Sequence, residues 1–392
     1  MISIEDALQA VEMNSFEVSK EIKIPIEISG NSILFSDIYS PINMPPFSQS
    51  AMDGYALNFH DDFTYTLVGE VKAGDSHQPL LNKGEAVRIF TGAAVPDSAN
   101  TVIMQEKVVA RKKEITIEAK LPIGSNIRLS GEQVKKGQLA LKKGTKLTPA
   151  AIGFLSSLGI TEVSVYKKPS IALISTGNEL VEAGQTLSYG KIYESNSIML
   201  QNAIINLGFE AVSVHKVEDN YEATYNKLQD VIVKNDMVII SGGISVGDYD
   251  FVGKALKGLN VEEVFYKVNQ KPGKPLFFGK KGDTLLFALP GNPAAALTCF
   301  YMYVYIALQK MSGSRDASLP KVMARSTSGF VKNGDRPQIL KAIYKEGQVS
   351  VLEGQSSAML QTFAISNGLI KMAEDLKQIN TNDIIEVILL PV

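Results

Sequence analysis

The chain has 392 residues, too many for one hydrophobic core, and roughly one domain per 150 residues gives about two to four domains. Lysine plus arginine (39) nearly balance aspartate plus glutamate (41), and the formal charge of −2 excludes nucleic-acid binding driven by bulk phosphate neutralisation. A single cysteine, Cys299, excludes an internal disulfide framework and thiolate zinc sites; His60, His77 and His215 lack metalloprotease spacing, so any metal should be hard and oxygen-bound.

The first stretch, MISIEDALQAVEMN, has no basic region followed by an apolar core and a cleavage site, so no signal peptide is read and the cytoplasm is expected. Residues 17–168 carry short alternating runs punctuated by Gly and Pro, among them FTYTLVGEV, AVRIFTG and TVIMQEKVVARKKEITIEA, and are mostly β with one or two helices. Within them, PPFSQSAMDGYAL packs Asp53 and Gly54 into an apolar loop, and RIFTGAAVP ends a strand on Thr91 and Gly92. Alone, both are turns.

From residue 169 to 313 the pattern changes to strands alternating with helices. SIALIS, AVSVHKV, DMVIIS, VEEVFYKV and TLLFAL are strands. SNSIMLQNAIINLG is a helix capped by Ser195 or Asn196 and ended by Gly208, and NYEATYNKLQDVIVKN and DYDFVGKALKGL are further helices. This predicts a doubly wound, mostly parallel sheet covered on both faces. The uncharged run at 294–309, AAALTCFYMYVYIALQ, is too short for a membrane span and holds three tyrosines, so it is a buried helix. The tail, with KVMARSTSGFV, QILKAIYKEGQVSVLEG and DIIEVILLPV, is a small antiparallel sheet or barrel.

Ligands of such sheets bind beyond the C-terminal strand ends. Three loops should meet there: STGNEL, SGGISVGDYD and LPGNPAA. The second offers Ser241, Gly242 and Gly243 as a backbone cradle for phosphate, yet Asp248 and Asp250 follow closely. A tight turn with Asp248 as helix cap is the plain alternative. With Glu179 and Asp219 at neighbouring strand ends, Asp250 makes an oxygen-rich cluster suited to Mg²⁺. Asn292 and Pro293 open a helix in sound capping positions, and that start also offers free N–H groups to an anion. KVNQKPGKPLFFG carries Lys267, Lys271 and Lys274 on a segment kept non-helical by Pro272 and Pro275; it is either a solvated loop or an anion pocket. Arg336 and Ser357 are weaker candidates.

In order, SAMDGYA, RIFTGAAVP with VIMQE, NIRLSGEQVKKG, ISTGNEL, GKIYESNS, IISGGISVGDYDFV, KPGKP and LPGNPAAA closely resemble the molybdopterin molybdenumtransferase family, known as MoeA in bacteria and as the E domain of gephyrin in animals. The resemblance runs over roughly residues 3–370. It implies an L-shaped homodimer of four-domain subunits: 16–42 with 141–167 for linkage and dimerisation; a β-rich 43–140; 1–15 with 168–315 as the α/β molybdopterin-binding domain, similar to molybdopterin adenylyltransferases; and a β domain at 316–392. It also implies the reaction, in which adenylylated molybdopterin receives molybdate and Mg²⁺-dependent hydrolysis of the phosphoanhydride releases AMP and molybdenum cofactor.

The family's functional acids and hydroxyl fall on Asp53, Thr91, Glu179, Asp219 and Asp250, its loop prolines on Pro290 and Pro293, and its oxyanion contacts on Lys267, Lys271, Lys274, Arg336 and Ser357. Asp53 and Thr91 are expected to reach the α/β site of the other subunit. The chain departs at Gln133, where an acid is common, and at Ala295, where a serine is common. A molybdopterin adenylyltransferase is the implied pathway partner, with no nucleic acid and no membrane. Alternatives are adenylylation of molybdopterin itself and a gephyrin-like scaffold; molybdate and tungstate, both tetrahedral dianions, fit the oxyanion role equally.

Overall fold

The protein is described by a computed structural model, which covers residues 1–18, 20–244 and 251–392. It divides into two compact units, one of Met1–Ile22, Asn31–Phe35 and Ser164–Val392, the other of Lys23–Gly30 and Ser36–Val163.

The second unit is built on a six-stranded sheet. Its strands lie in the order Thr101–Met104, Gly54–Leu57, Glu85–Ile89, Thr64–Val71, Glu114–Ile117 and Val108–Arg111. Side chains alternate across it, as a period of two requires. Ala56, Val87, Ile89 and Val102 enter one core, and Tyr55, Leu57, Ala86, Ile103 and Ile115 the other. A helix, Pro149–Ser157, starts where Thr148 accepts the Ala151 N–H at 3.3 Å and Pro149 needs no partner.

The first unit holds the α/β sheet. Its strands are β1 (Ile171–Thr176), β2 (Val212–Val217), β3 (Met237–Ser241), β4 (Glu262–Tyr266), β5 (Phe277–Lys281) and β6 (Thr284–Leu289), in spatial order 2-1-3-6-5-4. β2, β1, β3 and β6 are parallel, while β5 runs antiparallel to β6 and to β4. Sequence reading missed β5, because its residues follow directly on the proline-rich lysine segment. The sheet is therefore mostly parallel, as expected, with an antiparallel hairpin at one side.

Strand alternation sorts two cores. Ile171, Leu173, Met237, Ile239, Leu285 and Phe287 pack on one face with α1 (Ile4–Asn14), α2 (Asn196–Asn206) and the long helix of 293–311. Ala172, Ile174, Val238, Ile240, Leu286 and Ala288 pack on the other with α3 (Tyr221–Ile232) and α4 (Phe251–Gly258). The N-terminal stretch is thus the amphipathic helix α1, capped by the Ser3 hydroxyl on the Asp6 N–H. Residues 293–311 comprise α5 (Pro293–Cys299), a π-helical turn at Phe300–Val304 and α6 (Tyr305–Met311). Its residues 294–304 are all buried, which accounts for the long uncharged run. Among the described residues no helix is long and apolar enough to cross a membrane.

The tail closes into a barrel of β7 (Lys321–Ser326), β8 (Gln338–Lys345), β9 (Gln348–Val351), β10 (Gly368–Met372) and β11 (Ile384–Leu389), in the order 7-9-8-10-11. Ala324, Leu340, Ala342, Val349, Ile370 and Val387 fill it. Closure removes the exposed edges that a small sheet would otherwise present.

Gly54 shows how tightly these sheets are drawn. It pairs with Met104 on one side and Ile89 on the other, and a Cβ there would stand 1.9 Å from the Ile103 carbonyl oxygen. Gly54→Ala must push apart the paired strands Gly54–Leu57 and Thr101–Met104, so it should cost about 3 kcal/mol or more, at or above the upper end of overpacking effects. A urea midpoint unchanged from wild type would contradict this close approach.

Candidate functional site

Register places the C-terminal ends of the parallel strands together: Ser175 stands beside Ser241, and Ser241 beside Leu289. The chain leaving β3 then turns sharply through Gly242 (φ 88°) and Gly243 (φ 62°). A Cβ on Gly242 would lie 2.4 Å from the Thr176 carbonyl oxygen, and one on Gly243 2.6 Å from Thr176 Cγ2 and 2.7 Å from Val252 Cγ2. Both positive φ and contact distance demand glycine here. The glycine pair thus serves first to bring the β3 loop against the end of β1. Residues 245–250 lie outside the described residues, and with them Asp248 and Asp250.

The same approach assembles the acids. Thr176 Oγ1 donates to Asp219 Oδ1 at 3.3 Å, and the Asp219 N–H donates to Asn178 Oδ1 at 3.3 Å, tying the β1 loop to the β2 loop. The Glu179 carboxylate folds over Gly177, 2.8 Å from where a Cβ would stand. Burial pushes the Asp219 carboxyl above its ordinary pKa, the Thr176 bond opposes this, and the charge of Glu179 adds to it. Neither acid lies within salt-bridge range of a cationic side chain among the described residues. No group of three potential metal ligands occurs among the described residues. Two carboxylates that repel each other, with no cation in salt-bridge range among the described residues, nevertheless offer the oxygen donors that suit a hard divalent ion such as Mg²⁺.

Asn196 opens α2, but not as its side-chain cap. Its Nδ2 donates to Ser241 Oγ at 2.8 Å and to the Gly291 carbonyl at 2.7 Å, joining the β3 and β6 loops. Ser195 makes no capping bond either. The cap is Glu194, whose carboxylate accepts from the Ser197 N–H and hydroxyl, an acid favoured by the positive end of the helix. Gly208 ends α2 as expected, at φ 85°.

At the β6 end, Pro290 is buried, Asn292 precedes α5 and Pro293 is its first residue. The donors expected to be open there are partly taken: the Ala295 N–H donates to the Ser357 carbonyl at 3.1 Å, and Asn292 Nδ2 to Ser357 Oγ at 3.0 Å. The barrel therefore supplies the loop that completes this helix start.

The lysine segment leaves β4 at the same sheet edge. Its turn is held from below by Gln270, which is fully buried: Nε2 donates to the Gly273 carbonyl at 3.1 Å, and Oε1 accepts from Tyr303 in the π turn. Burial also pushes the Cys299 thiol beside it up to about 12, leaving it an inert filler. Above this node, Lys271 joins the barrel through Lys271 N–H to the Pro337 carbonyl (2.9 Å) and Ile339 N–H to the Lys271 carbonyl (2.8 Å). Arg336 Nη1 approaches the Gln270 carbonyl at 3.5 Å, and a cavity of about 240 Å³ has Lys271 and Ser356 among its walls. Lys267 Nζ stands 4.5 Å from the Tyr266 ring centre, and the Lys274 carbonyl accepts from Val268 and Leu276. Like the acids, Lys267, Lys271, Lys274 and Arg336 have no oppositely charged partner in range among the described residues.

Asp53 and Thr91 lie on the other unit and pair with each other. Asp53 Oδ1 accepts both the Thr91 N–H and its hydroxyl at 2.7 Å, which holds the carboxyl below the usual aspartate range. Gln133 and Ala295 remain as the sequence has them, and Ala295 presents no hydroxyl beside Ser357. Sequence reading had no signal for Asn196, Gln270 and Tyr303 as a framework, since the Asn196 amide and the Gln270–Tyr303 bond each join segments distant in the chain.

The raised pKa of Asp219 has a definite sign. Folded Asp219 holds its proton more tightly than the unfolded chain, so its contribution is full below the ordinary aspartate value of about 3.9 and is lost as pH rises through the raised folded value. Asp219→Asn should escape this loss. Its advantage in Tm over wild type should grow from pH 4 to pH 7 by differential scanning fluorimetry; an advantage independent of pH would mean that burial does not strain this carboxylate.

Comparison with known proteins agrees with this architecture. Residues 2–159 match the family described as "MoeA N-terminal region (domain I and II)", residues 172–310 the "Probable molybdopterin binding domain", and residues 323–390 the "MoeA C-terminal region (domain IV)". A Haemophilus influenzae protein named molybdopterin molybdenumtransferase is 35% identical over 373 residues, 92% of each chain. A Staphylococcus epidermidis protein of the same name is 30% identical over 99% of this chain and 95% of its own. The solved structure of the molybdopterin biosynthesis MoeA protein from Pyrococcus horikoshii OT3 superposes with a TM-score of 0.86 at 29% identity, covering 99% of this chain and 100% of that one. With these matches spanning nearly its whole length, the chain belongs to the molybdopterin molybdenumtransferase family of enzymes.

Proposed function

We propose that this enzyme inserts molybdate into adenylylated molybdopterin, with hydrolysis of the phosphoanhydride and release of AMP and molybdenum cofactor. The observation that carries this reading is the division of charge at one sheet edge. Among the described residues, the acids Glu179 and Asp219, which have no cation in salt-bridge range, follow β1 and β2, while the cations Lys267, Lys271 and Lys274, with Arg336 at Lys271, follow β4 and have no acid in range. A polyanionic substrate that brings a divalent cation satisfies both sets at once.

In this reading Glu179 and Asp219, together with Asp250, hold Mg²⁺, which when bound neutralises charge on the phosphates and the leaving AMP. The remaining work falls to the chain itself. Ser241, Gly242 and Gly243, with Pro290 and Pro293, shape the loops that receive the pterin and its phosphates. The two carboxylates orient the attacking water. The ammonium groups of Lys267, Lys271 and Lys274 and the Arg336 guanidinium bind the oxyanion by charge-assisted hydrogen bonds, and the Ser357 hydroxyl donates to it. Asp53, held ionised by Thr91, completes the α/β site of the other subunit in a homodimer. The reaction is assigned to the cytoplasm, downstream of a molybdopterin adenylyltransferase.

Asp219→Asn and Glu179→Gln should each lower AMP release from adenylylated molybdopterin, molybdate and MgCl₂ at least about a hundredfold, the scale of losing one preorganised electrostatic group. Mg²⁺ should raise the Tm of the wild-type protein and leave that of both variants unchanged. Normal turnover by either variant would sink the acid assignment. Formation of adenylylated molybdopterin from ATP and molybdopterin would instead point to the adenylyltransferase reaction.

A further inference from the structure

Lys341, in the middle of β8, is only 4% exposed. Its ammonium donates to the carbonyls of Gly354 at 2.9 Å, Ser356 at 3.3 Å and Met359 at 3.0 Å. No carboxylate lies in salt-bridge range of it among the described residues, and burial lowers its pKa. Burying an ammonium without a counter-ion is costly, and an apolar side chain would fill a barrel strand more cheaply. What the charge gains is shape: three carbonyls of one short loop converge on it. The backbone of Lys341 clasps the same loop, donating to Gln355 Oε1 at 2.9 Å and accepting from Gln355 Nε2 at 2.9 Å.

The residue enclosed by this clasp is Ser357. Its carbonyl receives the Ala295 N–H, and its Oγ accepts from Asn292 Nδ2, so the hydroxyl proton has no protein acceptor among the described residues. That proton is a free donor of the loop among the described residues, as is the Ser356 hydroxyl, which only accepts from the Ala358 N–H at 3.5 Å; of the two hydroxyls, Ser357 is the one held against Asn292 and Ala295. We propose that Lys341 is a positioning residue for oxyanion capture: its buried ammonium gathers the carbonyls of the 354–359 loop and so fixes the Ser357 hydroxyl, against Asn292 and Ala295, in the orientation that receives molybdate. This inference rests on the reading of Ser357 as an oxyanion contact.

The test uses the full-length protein, with molybdate binding by isothermal titration calorimetry and KM and kcat for molybdate-dependent AMP release. Ser357→Ala and Lys341→Met should each weaken molybdate binding about tenfold, the scale of one hydrogen bond to a charged group, and the double variant should be no weaker than either single one. The loss should fall on KM for molybdate and not on kcat. Lys341→Arg, which keeps the charge and the donors, should recover most of the affinity; it also serves as the folded control if Lys341→Met loses Tm. Wild-type molybdate affinity in Lys341→Met, with Ser357→Ala weakened, would overturn the positioning role. Failure of Lys341→Arg to recover affinity while matching the wild-type Tm would do the same. Wild-type affinity in Ser357→Ala would overturn the oxyanion reading of Ser357 and this inference with it.

Discussion

Everything at the sheet edge depends on the contact between the Gly242–Gly243 turn and Thr176. A side chain at either glycine would collide with the end of β1, so the turn can lie flat across that strand only because it has none. Once it does, Asp219 Oδ1 comes within 3.8 Å of where a Gly243 Cβ would stand, and the Gly242 Cα lies 3.8 Å from where a Cβ on Gly291 would stand. Three βα connections that would otherwise splay apart are drawn into van der Waals contact. Asn196 then locks two of them with one amide, and Thr176 and Asn178 lock the third.

The charges built on this frame are poorly matched within the protein. Among the described residues, two acids raise each other's cost at one side, and cations with no acid in salt-bridge range gather at the other. A sequence selected for stability alone would pair them. Each unpaired set instead carries a free-energy cost in the folded chain, and the usual reason for tolerating such a cost is that a ligand removes it. Elsewhere the surface shows ordinary exposed pairs, such as Lys321 with Glu386, that satisfy both partners locally.

The alternation of strands and helices, the three converging loops and Glu179, Asp219 and the lysine segment were all legible in the sequence, because period, turn residues and strand order are local signals. The terminal barrel was visible for the same reason. Less visible were features that depend on partners far along the chain. β5 was hidden behind prolines, and its identity rests on pairing with β6. Asn196 read as a cap because Asn commonly is one, whereas its amide is used 45 and 95 residues away. Lys341 sits in a strand whose neighbours are apolar, and nothing nearby in sequence signals that three loop carbonyls lie over it. The Asp53–Thr91 pair is likewise a contact across 38 residues; both residues stood out in their loops, and the resemblance gave them a role, but nothing in the sequence joined one to the other.

The Ala295 N–H bonded to the Ser357 carbonyl bears on how the molecule can be divided. A helix start is completed by a loop from the barrel, and Lys271 exchanges backbone hydrogen bonds with the strand that enters it. Neither side of that seam is finished alone. Removing the C-terminal barrel would strip the last helix of its cap and open the lysine turn, while the barrel in isolation would expose a loop shaped for a helix it no longer meets. Compact as it looks, the barrel is not a detachable cassette, and exchanging it between relatives would require carrying the Asn292–Ala295 turn along with it.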